Sequence, residues 1–396
     1  MEFSIAYEQQ ELIRMVRRFI DAELKPLEDE VEESGFLKEE DAKRIFDKSF
    51  ALGLYAMNVP EELGGAGLSA VETMLIEEQF GHTSDILVRR AFGNVYEVLF
   101  ACDQAQRERW LLPTVRGART CSIAITEPGA GSDAAAIATR ADPDGDGWLL
   151  TGGKHFISDG LYSDYFVVSA LTDKSKGSKG ISLFLVDKNS PGLSLGRDQK
   201  MMGLRGTSHV ELFFDRVRLE QVNLLGELGT GMRQILTTLG RVRLGQVGAR
   251  SIGKASHVLS LAVEYANGRK QFGQPIGEFQ MIQQMIADSV VEINAARLLL
   301  LRAAWEIDRG NDARDWISMV KVHATEVANK VADRAVQIFG GMGYCKDLPI
   351  ERYYRDLRIG RIYDGTSEIH RLVIARSTLK SGNKLFDGLW SGDWTD

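Results

Sequence analysis

The sequence predicts an α+β fold in which helices, then strands, then helices follow one another along the chain. Up to residue 118, apolar residues recur at helical spacing. From 119 to about 228 the texture changes to short runs rich in β-branched and aromatic residues, separated by turn signals. After 228 the helical period returns. The expected layout is therefore 1–118 helical, 119–228 a β domain and 229–396 helical with a tail, and 396 residues are enough for that many units.

In the first segment, "QELIRMVRRFIDAEL" (10–24) and "SAVETMLIEEQFG" (69–81) carry helical apolar stripes, the second ending at a glycine stop. "NVPEELGGAGLS" (58–69) is a loop marked by Pro60 and a glycine cluster. In the second, "CSIAIT", "GWLLTG", "YFVVSAL", "ISLFLVD" and "HVELFFDRVRL" are expected strands. The separator "DPDGDG" (142–147) has the look of a calcium loop. However, Gly153 stands where the twelfth-position glutamate belongs and no helices flank it, so a hairpin turn is expected. In the third, the stretches 244–273, 279–307 and 316–341 carry broad apolar stripes suited to packing on one another or on another subunit. The tail "LFDGLWSGDWTD" shows no clear element.

Composition narrows the function. Hydrophobic residues make up 44% and charged residues 26%, as in soluble globular proteins. With 48 basic against 55 acidic side chains, a net of −7, no basic surplus exists to neutralise nucleic-acid phosphates. The first residues lack a signal or transit pattern and no run approaches a membrane span. Cys102, Cys121 and Cys345 are few and far apart, fitting free thiols in a reducing compartment. The histidines show no spaced ligand pairs, so no metal is expected.

The stretches that could carry chemistry are mostly loops. "AITEPGAGSD" (124–133) follows an expected strand and offers backbone N–H groups and hydroxyls to a flat polar ring or a phosphate; a plain surface turn is the competing reading. "GGKHFISDG" (152–160) sets Phe156 near Ser158. "GRKQFGQPIGEFQ" (268–280) holds Arg269, a fixed cation suited to a pyrophosphate or simply to solvent. "QIFGGMGY" (337–344) is a glycine-rich helix ending, where close approach of a ligand competes with a helix stop. "IYDGTSEIHR" (362–371) sets Asp364 in a small turn, either to cap a helix or to take a proton.

In order and interval, "ITEPGAGSD", "MMGLRGTSHVELFFDRV", "RKQFGQPIGEFQ", "QIFGGMGY" and "YDGTSEIHR" resemble the acyl-CoA dehydrogenase family across about residues 5–380. The resemblance implies an N-terminal helical domain, a middle β-barrel-like domain and a C-terminal four-helix bundle. FAD would lie between the β domain and the bundle of a homotetramer, or dimer of dimers. By motif, Ile123, Ala124, Ile125, Thr126, Gly131 and Ser132 would line the flavin, with Phe156, Ile157 and Ser158 flanking the isoalloxazine. The family often has tryptophan where this chain has Phe156. Arg269, Gln271, Phe272, Gln280, Gln337, Gly340 and Gly341 would hold the ADP half across a subunit contact, and Thr366 and Glu368 would sit by the cofactor. Ser132, Arg243 and Gly365 would serve the substrate.

The resemblance also gives Asp364 a role. Many members have glutamate there, the base that removes the α-proton while hydride leaves Cβ for flavin N5. Aspartate is the same group on an arm shorter by roughly 1–1.5 Å. Members with their base on another helix would need an acid near position 242, where this chain has Val242 between Arg241 and Arg243. The expected function is α,β-desaturation of an acyl-CoA, with electrons leaving to electron-transfer flavoprotein. Nitroalkane oxidase-like chemistry, with Arg371 in its helix, and a non-oxidative acyl-CoA reaction are the alternatives.

The segment "HTSDILVRRAFGNVYEVLF" (82–100) falls where the family walls the acyl pocket, yet it carries Arg89 and Arg90. Either both face solvent or one, taken as Arg89, meets a polar acyl tail. A cytoplasmic location is expected, or a mitochondrial matrix if a transit peptide has been removed.

Overall fold

The computed structural model describes residues 4–93 and 95–381, so the tail segment 385–396 lies outside the described residues. The architecture is α+β, as the sequence predicts, with helices leading into a β sheet and helices following it. By contacts the chain divides into two compact units, Met1–Ser69 with Thr83–Leu239, and Ala70–His82 with Gly240–Asp396.

The first unit opens with the helix Tyr7–Phe19, continued by a wider turn over Ile20–Leu24. Val16, Phe19, Ile20 and Leu24 are buried, which is the apolar spacing read from the sequence. The helices Glu39–Ala51 and Asp85–Phe92 follow. Among the described residues, β1 (Cys121–Ala124), β2 (Arg140–Asp144), β3 (Gly147–Ser158), β4 (Tyr165–Leu171), β5 (Ile181–Asp187), β6 (Leu193–Asp198), β7 (His209–Leu219) and β8 (Leu224–Leu225) form one sheet. The order is β6-β7-β3-β2-β4-β5-β8, with β1 paired parallel to β4. The "DPDGDG" stretch is the hairpin between β2 and β3. Residues 165–168 of β4 are wholly buried, which explains why this strand is an unbroken apolar run rather than an alternating one. β6 has no sequence signal because it is a half-exposed edge strand with a glycine and charges.

The second unit is built on the helices Ala70–Phe80, Arg250–Gly268, Gln280–Asp308, Arg314–Phe339 and Ser367–Ser381. Alanine is the most frequent residue of its core, Ala255, Ala262, Ala303, Ala304, Ala324, Ala328 and Ala332 among them, so the helices approach closely. At the crossing of the first two, a Cβ on Gly253 would stand 1.9 Å from the Glu78 carbonyl and one on Gly81 would stand 2.5 Å from that of Arg250. Glu77 pairs with Arg250 at 2.5 Å and Glu78 with Arg297 at 2.6 Å. The Asp308 carboxylate accepts from the N–H groups of Ala70 and Val71, capping one helix from the end of another. Among the described residues no helix is long and apolar enough to cross a membrane.

Candidate active site

The turn before the helix Ser367–Ser381 is the centre of one cluster. Thr366 caps that helix: its hydroxyl accepts from the Ile369 N–H at 3.2 Å. The cap therefore falls on Thr366, two residues beyond Asp364. Asp364 is left-handed (φ 52°), as is Gly365 (φ 92°), where a Cβ would stand 2.9 Å from His370 Nε2.

The Asp364 carbonyl is held twice. Arg243 Nε donates to it at 2.7 Å from the wide-turned segment Arg243–Ala249, and His370 Nε2 donates at 3.1 Å. Since a carbonyl only accepts, the His370 proton sits on Nε2, and the Ser318 hydroxyl donates to Nδ1 at 3.1 Å. Burial pushes His370 down to about 4, with the Arg243 and Lys321 cations adding to it against the pull of the Asp364 carbonyl, so the ring is neutral.

A second cluster lies in the sheet unit. Glu127 and Lys154 are buried and meet at 2.8 Å. Lys154 also donates to the Ile125 carbonyl at 3.0 Å and to Ser169 Oγ at 3.1 Å, while the Glu127 carboxylate accepts from the N–H groups of Ala138 and Thr139. Burial opposes ionisation of Glu127, but Lys154 and these donors outweigh it and hold the carboxyl below its ordinary value. Burial pushes Lys154 down to about 8 against the pull of Glu127, which leaves it charged at neutral pH.

The 123–132 segment is thereby tied to β3, and the His155 N–H adds a bond to the Thr126 carbonyl at 2.8 Å. The β3–β7 register slips between Lys154 and Ile157, and in that bulge Phe156 is left-handed (φ 59°), half exposed and stacked on the His155 ring at 3.9 Å. Ser122 fastens the Ser158 carbonyl at 2.6 Å. Added Cβ atoms at Gly129 and Gly131 would meet nothing within 4 Å. An exposed aromatic beside an open, hydroxyl-bearing glycine loop fits a flat heteroaromatic ring.

The remaining expected residues lie in the helical unit. Arg269 follows the helix Arg250–Gly268, and Gln271 and Phe272 belong to a small hairpin on which Phe272 is 94% exposed. Gln280 opens the next long helix, Gln337 lies near the end of Arg314–Phe339, and Gly340 and Gly341 follow it; all four are exposed. Glu368 is exposed in the first turn after the cap, and Arg371 reaches Glu326 at 3.4 Å.

Arg89 faces inward but meets a carboxylate of its own chain, Asp159, at 2.5 Å. Arg90 lies over the Tyr162 ring at 4.0 Å. Between them is a cavity of about 40 Å³ lined also by Tyr55, Thr120 and Cys121, room for little more than water.

Glu127, Lys154, Asp159, Ser318, Lys321 and His370 were not among the expected site residues. Signals existed for two of them. Lys154 shares the inward face of its strand with Leu150, and Lys321 sits beside Val320 and Ala324 within an apolar stripe.

Three family models match the chain: acyl-CoA dehydrogenase, N-terminal domain (residues 6–118), middle domain (122–217) and C-terminal domain (229–379). The chain is 40% identical to a 3-(aryl)acrylate reductase of Clostridium sporogenes, with 94% of this chain and 99% of the relative covered. It is 39% identical to the CarC subunit of the caffeyl-CoA reductase–Etf complex of Acetobacterium woodii, with 94% and 99% covered. The solved butyryl-CoA dehydrogenase of Megasphaera elsdenii superposes with a TM-score of 0.89 at 33% identity, covering 96% of this chain and 100% of that one.

Proposed function

The chain belongs to the acyl-CoA dehydrogenase family, FAD-dependent oxidoreductases acting on acyl-CoA, and from that premise we propose that it desaturates an acyl-CoA thioester between Cα and Cβ, with Asp364 taking the α-proton. The observation that carries this reading is the doubly held Asp364 carbonyl in a left-handed turn. Arg243 and His370 fix the backbone from which the carboxylate projects, as a base with a short arm requires. Because Thr366 takes the capping role, the turn does not need Asp364 as a helix cap.

FAD, when bound, supplies the acceptor for the hydride that leaves Cβ. The loop residues Ile123–Ser132 and the bulge Phe156–Ser158 would hold its ring system. Arg269, Gln271, Phe272, Gln280 and the 337–341 segment would hold the ADP half of a neighbouring subunit's cofactor, which suits a hairpin whose Phe272 stands almost wholly exposed. Arg243 would serve the CoA thioester while holding the turn. Arg89 already has a counter-charge in Asp159, so we infer that it steadies the turn after Ser158 and that a charged acyl tail is disfavoured.

Of the relatives above, one is named a 3-(aryl)acrylate reductase and another a subunit of a caffeyl-CoA reductase complex. By microscopic reversibility the same aspartate would return the proton in that direction, so the electron partner decides which way the reaction runs. Electron-transfer flavoprotein is the proposed partner, supported by the relative that is named as part of an Etf complex.

The test is anaerobic mixing of the yellow holoenzyme with short, branched, 3-arylpropionyl, dicarboxylic and hydroxylated acyl-CoAs. Flavin bleaching by one thioester class, lost in Asp364→Ala, is the expected result. Bleaching by nitroalkanes but by no thioester would overturn the proposal.

A further inference from the structure

Lys321 lies on the helix Arg314–Phe339 with no exposed surface, and its Nζ has no hydrogen-bond partner among the described residues. A buried ammonium in that state survives only where nearby negative charge offsets its lost hydration. Asp364, Glu368 and Glu326 attract it and Arg243 repels it. Glu326 is already engaged by Arg361 at 3.0 Å and by Arg371 at 3.4 Å, and the Glu368 side chain is in solvent. His370, also beside this group, is neutral at working pH. Of these acids Asp364 pulls on Lys321 most strongly, and the Arg243 guanidinium faces the same carboxylate. The same helix is braced against the Asp364 turn, because Ser318, one turn before Lys321, bonds the His370 ring that holds the Asp364 carbonyl.

We propose that Lys321 is a positioning residue for proton transfer: its sealed ammonium is a fixed counter-charge that, together with the Arg243 guanidinium, keeps the Asp364 carboxylate ionised until a thioester arrives. This rests on the reading of Asp364 as the base. In the step itself the Cα–H bond breaks and its proton passes to an Asp364 oxygen, while the hydride from Cβ would go to the flavin when that is bound, so the carboxylate loses its charge and Lys321 keeps its own. Burial lowers Lys321 to about 8, so its ammonium persists through neutral pH and is lost on modest alkalinisation.

The experiment compares holoenzymes carrying Lys321→Met, Asp364→Asn and both changes, with Lys321→Gln replacing Lys321→Met if the latter does not fold. In thermal unfolding at pH 7, Asp364→Asn is expected to lower Tm by several degrees, and adding Lys321→Met is expected to restore most of that loss. Anaerobic flavin reduction by 3-phenylpropionyl-CoA or butyryl-CoA provides the second readout. There the acid limb of the rate profile is expected to move up by about one pH unit in Lys321→Met, since a carboxylate that keeps Arg243 but loses the buried ammonium protonates more readily. Additive Tm changes, or an acid limb that stays in place, would overturn the inference. Reduction that survives in Asp364→Asn would instead overturn the reading of Asp364 as the base, while the Tm cycle would still report whether the two charges are coupled.

Discussion

Lys154 donates to Glu127 at 2.8 Å where both side chains are buried, and this ion pair ties the loop after β1 to the strand that carries Phe156. Sequence motifs mark the two segments separately; the pair makes them one frame. Removing one partner strands a charge in the core, so Lys154→Met should destabilise the protein by about 3–5 kcal/mol. Glu127→Gln with Lys154→Met should recover part of that. Denaturant unfolding checks the stability, and fluorescence titration of the apoprotein should show weaker FAD binding in the single variant than in the double.

Asp364 is expected to tolerate neither loss nor extension of its carboxylate. Asp364→Asn should slow anaerobic flavin reduction by about 10²–10⁴-fold, as expected for a lost general base. Asp364→Glu keeps the acid but moves it by roughly 1–1.5 Å, so a tenfold to hundredfold loss of order is expected. Stopped-flow bleaching with a saturating thioester measures both.

His370 should make the fold acid-sensitive. Burial holds it at about 4, against an ordinary value of 6.5. Between those values the unfolded chain binds the proton and the folded chain does not, so stability falls as pH drops from about 6.5 toward 4. The loss grows to about 3 kcal/mol by pH 4. His370→Gln, which lacks the titration, should show a flatter dependence of Tm on pH across that window; parallel curves would refute the assignment.

Arg89 should behave as a strut. Arg89→Met leaves Asp159 without its partner and should cost about 3 kcal/mol, with Asp159→Asn restoring part of it. Because the cation is already engaged, uncharged acyl-CoAs should bleach the wild-type flavin faster than dicarboxylic ones. A preference for the dicarboxylic thioester would show that Arg89 exchanges partners.

The order of helices, strands and helices was legible in the sequence because period and turn chemistry are local properties: the 3.6-residue stripe of 10–24, the apolar run of β4 and the hairpin at 142–147 each depend on nearby residues alone. The loops bearing Thr126, Arg269 and Asp364 were legible for the same reason, since glycine, proline and small hydroxyl residues mark turns. Tertiary structure decided what holds those loops. Whether Asp364 caps its helix depended on Thr366 reaching Ile369, and whether Arg89 faces solvent depended on Asp159, 70 residues away. Lys154, Lys321 and His370 read as ordinary polar residues in a string; only packing takes their water away, and that loss lowers all three against the opposing pull of a neighbouring carboxylate or carbonyl.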